Sequence, residues 1–188
     1  MINAAAYSHD ATLTFAADAR TGAETGRLVK EGMTGEALAR SRSKRVERVR
    51  ARSVDSLLAA HGLERVAWLK VDVEGFDPYV LRGAERALRR RAVAGLMFEY
   101  SEQWERVNAS HTLRGVVRWL DALEYRSYLV GRTRLVALSG DQWRDAYAGD
   151  GNIWLDVVAF VADSEFERIF LRSYGRPLPC APAVTSHL

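Results

Sequence analysis

The order strand, helix, strand, helix, then hairpin predicts an α/β protein, a layered sheet with an antiparallel hairpin at its C-terminal end. Three observations lead there. Two apolar runs rich in β-branched residues, "VAWLKVDV" (66–73) and "VAGLMFEY" (93–100), are separated by a stretch of helical period. A second helical stretch, 112–125, follows them. Beyond it, "RSYLV" and "RLVAL" flank "GRT", a hairpin signal.

Taken in order, "INAAAY" and "ATLTF" (2–7, 11–15) read as short strands around a turn. The Gly/Thr-rich stretch "RTGAETGRLVKEGMTGEALA" reads as a flexible loop. "RVERVRA" sets Val46 and Val49 among charges and reads as an edge strand. "SVDSLLAAHGL" (53–63) is a short helix that Ser53 or Asp55 can cap and Gly62 ends. After the strand 66–73, Asp77 is placed to cap a helix with Pro78 at its first position. Val80, Leu81, Ala84, Ala87 and Leu88 recur at helical spacing and carry that helix to about Arg90. In "TLRGVVRWLDALEY", Val116, Val117, Trp119, Leu120 and Leu123 make one apolar side. "WLDVVAFVA" is a last strand, "SEFERIFLRSY" a last helix, and "GRPLPCAPAVTSHL" a frayed tail.

Composition narrows the function. The 188 residues are 48% apolar, enough for a domain with a real core, and 27% charged with both signs mixed. No apolar run approaches the roughly 18 residues that span a bilayer. "MINAAAYSHD" lacks the basic-then-apolar layout of a secretory signal, so the expected compartment is the cytoplasm. Cys180 is the only cysteine, which excludes an internal disulfide and a thiolate zinc site. Basic residues gather at Arg40, Arg42, Lys44, Arg45, Arg48, Arg50 and Arg52, and again from Arg82 to Arg91. No aromatic residues interleave with them, so they read as solvated surface, and nucleic acid is not the expected partner.

The chemistry concentrates in "WLKVDVEGFDPYVLRGAERAL". In an open α/β sheet, ligands bind beyond the carboxyl ends of the parallel strands. Asp72 and Glu74 stand at the end of one such strand and Glu99 at the end of the next. The period of two puts Trp68, Lys70, Asp72 and Glu74 on one side of their strand, where Lys70 favours the ionised form of Asp72. An ionised carboxylate at a cleft takes a proton from a hydroxyl or holds a divalent metal. The purely structural alternatives are a buried Lys70–Asp72 ion pair, a loop hydrogen bond for Glu74, and Glu99 as a partner for Arg82. Three carboxylates at adjacent strand ends favour a functional edge over these.

The stretch "SVDSLLAAHGLERVAWLKVDVEGFDPYVLRGAERAL" resembles the hallmark of FkbM-type methyltransferases, which carry a "LDSLL" helix, "lKiDvEGxE" and a "vlxGA" helix. The matching positions are Val54, Asp55, Ser56, Leu57 and Leu58, then Lys70, Asp72, Glu74, Gly75 and Asp77, then Leu81, Gly83 and Ala84. "GLMFEY" is similar to the family's next strand, which closes on a glutamate, here Glu99. "NAAAYSHDATLTF" resembles "NxAxSDxxGxxxF" through Asn3, Ala5 and Phe15, with Ser8 and Ala11 in place of an aspartate and a glycine.

The resemblance implies a Rossmann-like class I methyltransferase sheet that uses S-adenosylmethionine to methylate a hydroxyl of a small molecule or glycan (a sugar, glycolipid or polyketide-like acceptor). It implies Asp72, Glu74, Lys70 and Glu99 at the catalytic edge, with Asp72 as base or metal ligand, Lys70 tuning it and Glu99 orienting the acceptor. Asn3, Ala5 and Asp72 are the expected cofactor contacts, and Asp72 and Glu74 the candidate ligands of a divalent metal. The family's opening strand with its "DVGANxGxxT" turn has no counterpart here, nor has the second strand ending in an acid. The expectation is therefore an N-terminally incomplete sheet with its first two strands missing, truncated and inactive alone, whose exposed edge invites association. The expected division is a partial methyltransferase domain over 1–162 and a C-terminal helix and tail over 163–188. The competing reading is a degenerate, non-catalytic binding module that docks on a partner or nucleic acid through its arginines.

Overall fold

The computed structural model describes residues 2–18, 26–28, 44–148 and 154–174. The segments 19–25, 29–43 and 175–188 lie outside them, and with them most of the expected flexible loop, Arg40, Arg42, Cys180 and the expected frayed tail.

The strands sort into two sheets. The first holds β1 (Ala5–Ala6), β2 (Ala11–Asp18), β3 (Gly26–Leu28) and β4 (Lys44–Arg52) in the order β1-β4-β2-β3. Here β4 runs parallel to β1 and antiparallel to β2. Two expectations change. The stretch "RVERVRA" is not an edge strand, because it has a partner on each side. The segment Gly26–Leu28, expected as loop, pairs with Phe15–Ala17 of β2 instead.

The second sheet carries the α/β pattern read from the sequence. Its strands are β5 (Val66–Val71), β6 (Val93–Ser101), β7 (Tyr125–Val130), β8 (Leu135–Ala137) and β9 (Trp154–Val161), in the order β5-β6-β9-β7-β8. β5 and β6 are parallel, and β9 is antiparallel to both β6 and β7. β7 and β8 form the expected hairpin. Among the described residues β5 pairs only with β6, so its other edge is open.

Short helices link the strands. α1 (Val54–Ala60) is capped by Ser53, whose Oγ accepts from the Ser56 N–H at 3.1 Å. Asp55 has another role: its two carboxylate oxygens accept from the N–H groups of Arg86 and Ala87, each at 2.9 Å. It thereby caps α3 (Glu85–Arg89) from a neighbouring element, where negative charge suits the helix dipole.

The helix expected to reach Arg90 is two helices, α2 (Asp77–Gly83) and α3, broken at Ala84. The contact beside the break lies at Gly83. A Cβ there would collide with the carbonyl of Tyr7, so only glycine lets α2 approach the end of β1. α4 (Gln103–Val107), not foreseen in the sequence, buries Trp104 against Phe98 and Tyr100. α5 (Leu113–Asp121) is shorter than expected and buries Leu113, Val116, Val117 and Leu120.

The main core lies between one face of the second sheet and α2, α3 and α5, with Val71, Leu81, Leu88, Leu96, Phe98 and Leu120 at its centre. The opposite face is covered by α6 (Glu165–Tyr174), which lays Phe166 and Phe170 over Trp68, Met97 and Phe160. Trp68 and Phe170 stack with ring centroids 5.9 Å apart. No helix among the described residues is long and apolar enough to cross a membrane.

Candidate active site

The α6-side face of the second sheet changes character along its strands. Trp68, Gly95 and Phe160 form one row across β5, β6 and β9, and Lys70, Met97 and Val158 form the next. The last pair in the β5–β6 register is Val71 with Phe98, so one further step sets Asp72 beside Glu99. Glu99 in turn pairs with Asp156 of β9. Three strands thus deliver three carboxylates in one row, on the face where apolar cover gives out.

Each position has a local cause. Asp72 is half-exposed and accepts an ion pair from Lys70 Nζ at 3.0 Å, so the pair is a surface one and not the buried structural pair. Hydrogen bonding to Asp72, with its charge, raises the affinity of Lys70 for its proton. Glu74 is not placed by the period of two, since the strand ends at Val71. The chain instead turns through consecutive left-handed residues, Glu74 at φ 53° and Gly75 at φ 92°. Gly75 tolerates this freely, whereas a glutamate in that region costs on the order of 1 kcal/mol, a local strain of the kind that clusters at functional sites. A Cβ on Gly75 would also press on Gln103 at 2.8 Å, so the turn sits tight against the start of α4.

Asp77 departs from its expected role. It is the first residue of α2, after Phe76 at the N-cap, and makes no side-chain cap. It points inward, 1% exposed, where Oδ1 accepts from the Glu99 N–H at 3.4 Å. Burial pushes its carboxyl up to about 6, against hydrogen bonds from its own N–H and those of Glu99 and Gly75. It ties the Glu74–Gly75 turn to β6, holding the two strand ends together.

Glu99 is the second strongly perturbed carboxyl of the group. Burial, and then the negative charges of Asp72, Asp77, Asp156 and Glu74, push it up to about 7. It makes no ion pair with Arg82. That guanidinium lies 4.4 Å over the Trp119 ring and pairs with Glu85. Arg86, Arg89 and Arg91 pair with Asp55, Glu85 and Glu124, so this second basic cluster is largely ion-paired surface.

Beside the row, at the open edge of β5, lies a cleft of about 450 Å³. Its lining is mostly apolar, with Val54, Leu57, Leu69, Val73 and Ala6 of β1, and its charged groups are Lys70 and Asp72. Ala5 is half-buried on β1 and Asn3 is exposed just before it. Among the described residues, no three His, Cys, Asp or Glu side chains are grouped to hold a metal ion. The candidate metal pair Asp72 and Glu74 therefore gains no third ligand there.

The structure brings together Lys70, Asp72 and Glu99, whereas neither Asn3 nor Ala5 lines the cleft, and Ala5 packs against the cluster of Leu13, Ala51 and Phe76. Asp156 was not singled out in the sequence. Its signal was there: it is the one charge in the otherwise apolar run "WLDVVAFV". What the sequence did not supply was the pairing of that strand with β6.

No curated protein and no solved structure matches the chain. A family model does: the methyltransferase FkbM domain, over residues 1–129. The match covers β1 to β7 through Leu129, and with it Asp72, Glu74, Asp77 and Glu99.

Proposed function

This chain belongs to the FkbM methyltransferase family, and from that premise we propose that it is an S-adenosylmethionine-dependent O-methyltransferase acting on a hydroxyl of a small molecule or glycan. The observation that carries the reading is the row Asp72–Glu99 at the ends of two parallel strands, flanked by an apolar cleft. We read β5-β6-β9-β7, with β9 reversed between its neighbours, as part of a Rossmann-like class I methyltransferase sheet. On that reading further parallel strands would continue from the open edge of β5.

The residues present fit such a cofactor in part. The apolar lining of the 450 Å³ cleft suits a nucleobase, and a carboxylate within it suits hydroxyls and a positive sulfur. Asp72 would approach it from β5. When bound, S-adenosylmethionine supplies a methyl group on a cationic sulfur.

The chain's own residues divide the remaining work. Asp72, paired with Lys70, presents a fixed negative charge and a hydrogen-bond acceptor at the cleft. Glu99, pushed to about 7, is matched to accept the proton of an acceptor hydroxyl near neutrality, where a general base works best. Asp77 keeps the two strand ends in register. Alignment of oxygen, methyl carbon and sulfur supplies most of the acceleration, and proton removal a smaller share.

Calorimetry with S-adenosylmethionine tests the reading, with S-adenosylhomocysteine as competitor. Saturable binding that Leu69→Glu, in the cleft wall, abolishes is the expected result. A folded chain that binds neither compound at millimolar concentration would overturn it.

A further inference from the structure

The row does not end at the two parallel strands. Asp156 lies on β9, directly across the antiparallel ladder from Glu99, and is exposed. Like charges placed directly opposite one another on neighbouring strands destabilise a sheet. The neighbouring positions on the same face of β9, Val158 and Phe160, are buried and apolar, so the charge breaks the pattern of its own strand. No described salt bridge of Asp156 offsets the repulsion, whereas its fellow acids Asp10, Asp163 and Glu167 each have a cation within 4 Å. An acid held against another acid has an evident effect, which is to make its neighbour a better base.

We propose that Asp156 is a positioning residue of the site, acting through Glu99 across the β6–β9 ladder to set the protonation state in which Glu99 meets the acceptor hydroxyl. This rests on the methyl-transfer reading for its functional meaning, and on the register alone for its physics. The groups that face Glu99 are Asp72 and Lys70 on β5, Glu74 in the turn, Asp77 on α2 and Asp156 on β9. Lys70 is held to Asp72 at 3.0 Å, and its charge reaches Asp156 and Glu99 from there, so it offsets part of the repulsion without pairing with either. Asp72 and Asp77 have other structural tasks, an ion pair and a backbone tie. Asp156 has none described, so it can be changed without dismantling the site.

The experiment is a carboxyl-carbon NMR titration of Glu99 in the full chain, without cofactor or acceptor. Asp156→Asn keeps the shape and removes the charge. It should move the Glu99 midpoint toward acid by roughly half a pH unit. Asp156→Glu, which retains the charge, should restore most of it. Asp163→Asn removes an exposed carboxylate paired with Arg126 at 2.8 Å and should leave the midpoint where it is. A pH–rate profile measured on an active preparation should follow the same shift. A Glu99 midpoint indifferent to Asp156→Asn in a folded protein overturns the inference and leaves the methyl-transfer reading standing. A midpoint that shifts in a protein that binds no S-adenosylmethionine does the reverse.

Discussion

Two glutamates over the same face of the second sheet live in opposite circumstances. Glu167 of α6 is 1% exposed and fully answered: it accepts from the Tyr128 hydroxyl at 2.7 Å, the Asp163 N–H at 2.8 Å and Arg126 at 3.4 Å. Glu99 of β6 is less buried, yet it is surrounded by carboxylates and pushed up to about 7. Burial alone therefore does not separate structure from chemistry in this molecule. Compensation does. Where both carboxylate oxygens have donors the charge pins an element, as Glu167 pins α6 to β7. Where four carboxylates converge on Glu99 and Lys70 offsets them only in part, the sheet tolerates a local cost at a place beside a cleft.

The comparison breaks most readily at Glu167. Removing it leaves the buried Tyr128 hydroxyl and the Asp163 N–H without an acceptor, while Arg126 keeps Asp163, so Glu167→Ala should cost about 2–4 kcal/mol of stability. Glu167→Gln, which can still accept, should cost less, about 1–3 kcal/mol. Chemical denaturation reads both. If Glu167→Ala were nearly neutral, full compensation would not be a mark of a structural charge here.

Leu81→Ala isolates packing from charge. Leu81 is fully buried at the centre of α2, and its truncation should cost about 2–5 kcal/mol. Cofactor binding and activity per folded molecule should survive, because α2 positions the site through Asp77 and the Gly83 contact. A loss of binding out of proportion to the loss of folded protein would show that packing under the strand ends shapes the cleft.

How much of this contrast could be read from the sequence differs by level. The parallel pair β5 and β6, the hairpin of β7 and β8, and the meeting of Asp72 with Glu99 all follow from local patterns: β-branched runs, a turn signal, and a period of two. What escaped depends on contacts distant in the chain. β2 pairs with β4 across an interval of some thirty residues, and no local pattern says which strand joins which sheet. Ala84 is a strong helix former, so the sequence argues for one long helix. The break comes beside the Gly83–Tyr7 contact, which no local pattern announces. An aspartate before proline reads as a cap, yet Asp77 turns inward because β6 offers its backbone N–H there. Asp156 could be seen as odd in its strand, but only the register gives it a neighbour.

Asp72→Asn tests the other side of the comparison, the carboxylate row that Lys70 compensates only in part. Asn preserves size and some hydrogen bonding but removes the charge that Lys70 pairs with at 3.0 Å. If the row carries the chemistry, methyl transfer should fall on the order of 100-fold with the fold intact. Full activity with a lowered melting temperature would place Asp72 with Glu167, as a structural charge.

The smallest effect discriminates most finely, because its sign differs from that of an ordinary stabilising acid. Glu99 has its carboxyl raised from the usual 4.5 to about 7, so the folded chain binds that proton more tightly than the unfolded chain does. The stability linked to it is present below the unfolded value and is lost as pH rises from about 4.5 through about 7. Glu99→Gln is neutral throughout and escapes that loss. It should equal the parent protein in stability near pH 4 and exceed it at pH 8, by on the order of 1 kcal/mol once solvent screening of this partly exposed group is allowed for. Methyl transfer should fall in the same variant, so that stability rises as activity drops. Denaturation midpoints at the two pH values decide it. A Glu99→Gln protein less stable at pH 8 than its parent would mean that Glu99, like Glu167, is held by partners that welcome its charge, and the distinction between the two glutamates would disappear.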